Sequence, residues 1–128
     1  MPATARVDPD TGIAHCLATG ELTRDEILAA VDQVYRDPNY RAPWRTIWDI
    51  AGATPVLNLE ELRAVVAYVK AHRPEGKGKT AIVATEDLAF GLSRMYEVLA
   101  GEQPVETRAF RDSEEALQWI LGGEPEAQ

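Results

Sequence analysis

The sequence predicts an α/β domain: a single-layer, mixed, mostly parallel sheet of about five strands, opened by an N-terminal β-hairpin and packed by about four helices. Two β-prone segments stand at the start with only a Pro/Gly turn between them. Two capping signatures of the same design precede amphipathic runs. The later apolar runs alternate between strand-like and helix-like periodicity, and connections as long as a helix force the strands they join to lie parallel.

Ala3–Val7 and Ile13–Thr19 are the hairpin strands, and the intervening DPDTG carries the Pro and Gly that set a turn. In the second strand Ile13, His15 and Leu17 share one face, while Ala14, Cys16 and Ala18 share the other. Thr23 with Glu26 forms a capping box, so a helix starts there; Ile27, Leu28, Val31, Val34 and Tyr35 recur at helical spacing until Asp37-Pro38-Asn39 stops the run.

Arg45–Pro55, RTIWDIAGATP, reads as the central strand, ending near Asp49 in a small-residue loop. Open α/β sheets put their binding chemistry at such an edge. Asn58 and Glu61 repeat the capping signature ahead of Leu62, Val65, Val66 and Val69, and that helix ends near His72-Arg73-Pro74, where cations suit the carboxyl end. Lys79–Ala84 is a short apolar run suited to a strand covered on both faces. A third helix spans about Glu86–Ala100 with Leu88, Leu92, Met95 and Leu99 as its expected core stripe and Gly101 as its stop. Val105–Phe110 alternates like an edge strand. Asp112 and Glu115 then open a last helix carrying Ala116, Leu117, Ile120 and Leu121, with a roll that turns Ala116, Trp119 and Ile120 inward as the alternative.

One domain over residues 1–121 and a disordered tail over 122–128 are expected from a chain of 128 residues that is 45% hydrophobic. A formal charge of -8 disfavours nucleic acid and anionic membrane surfaces. The lone Cys16 allows no internal disulfide, the start lacks a signal-peptide core, and no window is apolar enough to span a membrane, so a cytoplasmic protein is expected.

Few residues point to chemistry. GKGKT at Gly76–Thr80 ends like a P-loop, but the position five residues before its Gly78-Lys79 pair is Arg73 rather than Gly, and the segment opens a strand instead of a helix; it reads as a solvated turn. His15 and Cys16 are adjacent on a strand and point to opposite faces, and His72 sits at a helix end, so no Cys-His pair assembles from them. The carboxylates sit largely at helix starts, no metal cluster stands out, and no cofactor is implied. Asp49 interrupts the apolar run Ile47-Trp48-Ile50, where it either accepts hydrogen bonds from nearby amides or anchors a ligand or partner. Phe90 falls nearly opposite the expected stripe of its helix, beside Arg94, and either marks an interface or folds back onto a loop.

GELTRDEI at Gly20–Ile27, IWDIAGA at Ile47–Ala53, KTAIVATED at Lys79–Asp87, FGLSRMYEVL at Phe90–Leu99 and FRDSEEALQWI at Phe110–Ile120 together resemble the SpoIIAA-like branch of the STAS family, the fold of anti-sigma-factor antagonists. The resemblance covers almost the whole chain in order, through apolar patterning and spacing. It implies a regulatory or interaction domain without enzymatic activity. In the classical branch a partner kinase phosphorylates a serine at the start of the helix after the central strand. That helix begins here at Val56-Leu57-Asn58-Leu59-Glu60 and has no such serine, the nearest hydroxyl being Thr54.

The resulting expectation is a protein partner docking on the loop after the central strand and the next helix start, with Asp49, Thr54, Asn58, Thr85, Phe90 and Arg94 as candidate contacts. Self-association into a homodimer is compatible with this. The alternative is a carrier that holds a small apolar or lipid-like ligand between sheet and helices; an enzyme ranks last, since no nucleophile, base and orienting group assemble.

Overall fold

Reciprocal caps are the clearest translation of sequence into structure. In the computed structural model, which describes residues 3–101 and 104–122, Thr23 caps helix α1 (Arg24–Arg36) and Asn58 caps α2 (Leu59–His72), each side chain accepting from the N3 amide while the N3 glutamate reaches back to the cap amide. The other helices are α3 (Asp87–Ala100) and α4 (Ser113–Ile120).

Strands β1 (Ala3–Val7), β2 (Ala14–Thr23), β3 (Trp44–Val56), β4 (Gly78–Val83) and β5 (Val105–Phe110) form one sheet in sequence order. β1 is antiparallel to β2, and every later pairing is parallel, as the helical crossovers require. β3 is the central strand and β5 an edge.

The expected loop after Asp49 is not a loop. β3 runs unbroken to Val56, because β2 also extends past Thr19 and supplies a partner edge: Thr19 pairs with Gly52, and Thr23 with Val56, after a register shift between Leu17 and Thr19. Small residues let the irregular strand bend without collision.

Alternation along β3 divides the core. Thr46, Trp48 and Ile50 face α1, α2 and α3, whereas Ile47 packs with Ile13, Ala81, Val83, Ala116, Trp119 and Ile120 beneath α4. α4 therefore covers the opposite face, rolled so that Ala116, Trp119 and Ile120 are inside while Leu117 and Leu121 are exposed. Burying a side chain such as Ile120 contributes about 1.5–3 kcal/mol.

α3 is rolled away from its expected stripe, keeping Leu92 and Leu99 half-buried while Leu88 and Met95 turn out. Ala89 and Ser93 are buried, and Leu88 and Met95 point outward, 77% and 44% exposed. Two polar anchors accompany this orientation. The Glu97 carboxylate accepts from the Ala109 amide on β5, and Arg111 donates to the Thr85 carbonyl at 3.0 Å while pairing with Asp87 at 2.9 Å. Small side chains on the inner face let the helix lie close to the sheet. Phe90 is correspondingly not an outward anomaly; it packs against the core beside Ala84 and Ala89, with the Arg111 guanidinium 4.3 Å from its ring centre.

The glycines of Gly76–Thr80 serve the chain path. A Cβ on Gly78 would lie 2.3 Å from the Trp44 carbonyl oxygen, and Gly76 has φ +115°. Gly78 and Lys79 already belong to β4, so the segment forms no helix-opening phosphate loop. The expected tail beyond Gly122 lies outside the described residues.

Replacing either cap, Thr23→Ala or Asn58→Ala, is expected to lower unfolding free energy by about 1 kcal/mol, read as a shifted denaturation midpoint with an unchanged slope.

Candidate functional site

Between the sheet and the three helices on its α1 face lies a cavity of about 120 Å³. Its floor is Cys16 of β2, Thr46, Trp48 and Ile50 of β3, and Thr80 and Ile82 of β4. α1 contributes Ile27, Val31, Val34 and Tyr35; α2 contributes Leu62, Val65 and Val69; α3 contributes Leu92, Ser93 and Tyr96. Tyr40, Trp44 and Arg73 line it from the connections and the start of β3.

The local reasons are those that build the helices. Ile27, Val31 and Val34 recur on one face of α1, and Leu62, Val65 and Val69 on one face of α2, so both apolar stripes turn to the sheet. Rings such as Trp48 and Tyr40 are large and stiff.

The polar groups are few. Tyr40 Oη and Thr46 Oγ1 share a hydrogen bond of 2.9 Å, and Ser93 Oγ donates back to the Ala89 carbonyl at 2.8 Å. Burial pushes the Tyr96 phenol up to about 12 and raises Tyr35 and Tyr40 as well, so all three stay protonated at neutral pH. Desolvation likewise pushes the Cys16 thiol up to about 12. It is held as a thiol, a poor nucleophile.

A second, shallower hollow lies on the α4 face, where the short α4 leaves Thr4, Arg6, His15 and Leu17 uncovered beside Ile47 and Asp49. His15 has a lowered pKa, first because of burial and then because of the Arg6 charge, with Asp8 opposing.

The candidate contacts are scattered. Asp49 borders this second hollow, and its carboxylate accepts from the Ala51 amide at 3.1 Å, the amide partner that a carboxylate there requires. Thr54 is exposed on the last part of β3, opposite Glu21. Asn58 is occupied as the α2 cap. Thr85 is exposed before α3 and offers its carbonyl to Arg111, Phe90 packs inward, and Arg94 is exposed and paired with Glu97 at 3.4 Å. None of the six lines the cavity.

His72 is exposed, stacked on Tyr68 with ring centres 4.0 Å apart, and Cys16 is buried in the cavity floor. Among the described residues no group of three or more His, Cys, Asp or Glu side chains is arranged to hold a metal ion, and no helix is long and apolar enough to cross a membrane.

No family model matches the sequence, and no curated protein matches it. Among solved structures, an uncharacterized protein of the DUF3478 family from Shewanella loihica PV-4, described as having a SpoIIAA-like fold, is similar with a TM-score of 0.61. The match covers 92% of this chain and 93% of that one at 18% identity. The fold is SpoIIAA-like.

With its pKa raised to about 12, Cys16 is expected to resist a thiol-specific disulfide reagent at pH 8 in the native protein and to react fully once denatured. Absorbance of the released thiolate, with and without denaturant, checks this.

Proposed function

We propose that this chain is a non-enzymatic STAS-like binding domain that holds a small apolar ligand between its sheet and helices. The cavity carries the reading. Its walls are apolar and aromatic on the sheet and on all three helices, around a space of about 120 Å³. A dry apolar cavity of about 150 Å³ is enough to take up benzene. The protonated Cys16 and tyrosines suit a binding site better than a nucleophilic one.

Filling the space separates ligand binding from folding. Val65→Phe, from α2, is expected to keep or raise the thermal midpoint and to weaken uptake of toluene roughly tenfold or more. Calorimetric titration with toluene reads the second effect, and parent protein with no affinity for toluene or any copurifying small molecule sinks the reading.

One observation favours the protein-partner reading as a second. α3 carries Leu88, Met95 and Val98 outward, with Val98 79% exposed, along a line next to Arg94. If this face docks a regulatory partner, Leu88→Asp with Val98→Asp abolishes copurification of that protein from the host and leaves the thermal midpoint nearly unchanged. Identical copurification profiles for parent and variant exclude the face.

A further inference from the structure

The cavity has a polar end that a purely apolar ligand leaves unused. Arg73 follows α2, held by its backbone N–H to the Val69 carbonyl at 2.9 Å. Its side chain lines the cavity, and one arm of its guanidinium donates to the Gly76 carbonyl. Its Nε is shut off from solvent and has no hydrogen-bond acceptor, and no carboxylate among the described residues pairs with it. The Arg73 charge is felt inside, since it opposes the burial that raises Tyr35 and Tyr40. Neither the Tyr35 nor the Tyr96 hydroxyl has a hydrogen-bond partner among the described residues.

The chemistry of this end is one-sided. A guanidinium N–H can only donate and protonated phenols can donate beside it, and the buried Arg73 Nε without an acceptor is costly. What complements them is an anionic acceptor, and a carboxylate brings two oxygens that match a guanidinium fork. The other walls are apolar and rich in rings, among them Tyr40, Trp48 and Tyr96. The space, about 120 Å³, has the size of a single ring rather than of an acyl chain.

We infer that the ligand is a small monocyclic carboxylate, its ring among the aromatic walls and its carboxylate held by Arg73 Nε with the tyrosine hydroxyls. This rests on the ligand-binding reading above and adds the ligand's charge and size class.

Benzoate and toluene have nearly the same shape and differ in charge, and two of the three tryptophans, Trp44 and Trp48, line the cavity and report occupancy by their emission. Each compound is titrated into the full chain at neutral pH, and then into Arg73→Met and Arg73→Lys. The parent is expected to bind benzoate more tightly than toluene. Arg73→Met is expected to weaken benzoate roughly tenfold or more, with toluene unchanged, while Arg73→Lys keeps part of the preference.

Toluene binding without benzoate binding, or benzoate affinity indifferent to Arg73→Met, overturns the carboxylate inference and leaves the apolar cavity standing. Binding of neither compound overturns both. Should Arg73→Met fail to fold by circular dichroism, the preference of the parent and its reduction in Arg73→Lys decide the matter.

Discussion

The parallel pairing of β3 with β4 along its first half and with β2 along both halves is the constraint on which the rest depends. Thr46–Asp49 are held between two parallel neighbours, since β4 pairs with Trp44–Asp49 and β2 with Thr46–Asp49 and then Gly52–Val56, and each paired side chain is thereby committed to one face. The even-numbered residues Thr46, Trp48 and Ile50 make the cavity floor; Ile47 and Asp49 belong to the α4 side. A slip of one residue would turn the indole of Trp48 out of the cavity and put a carboxylate in its place. The second half of β2 prevents that slip by holding Gly52–Val56 in register beyond the irregularity at Leu17 and Thr19.

The cavity follows from what stands on that floor. Small residues bring the start of α3 down onto the sheet at Ala84 and Ala89. Farther along the same helix, Leu92 and Tyr96 meet the side chains of α2 and β3 rather than bare backbone. Tight packing at one end and bulky rings at the other leave unfilled volume between them, because rigid rings do not collapse into irregular gaps as methionine does. The two methionines of the chain are not there: Met95 faces outward, and Met1 lies outside the described residues.

Much of the fold was legible because its signals are local. The caps at Thr23 and Asn58, the turn before Ile13, the strand Val105–Phe110 and the order of elements each follow from a few neighbouring residues. Elsewhere a distant partner decides the structure. AGATP looks like a loop until Thr19–Thr23 is seen to offer it an edge. The largest apolar residues predict the stripe of α3, yet contact with the sheet buries Ala89 and Ser93 and turns Leu88 and Met95 out, and Glu97 ties the same face to an amide of β5. Periodicity ranks residues by hydrophobicity and carries no record of how close a helix must come.

The candidate site was less legible, for a related reason. Its lining is drawn from seven of the nine elements and the connections between them, and each residue by itself reads as ordinary core. Arg73 is the instructive case. At the end of α2 a cation has a sufficient local explanation in the helix dipole, and it does sit there as the cap residue. Only the path of the following turn, where Gly76 accepts one arm of the guanidinium while Nε stays buried, shows that the same side chain also closes one end of an apolar space. An arginine used solely for helix-end electrostatics has no need to be desolvated, since its charge acts equally well from solvent. The buried Nε without an acceptor is therefore the feature that the inferred carboxylate complements.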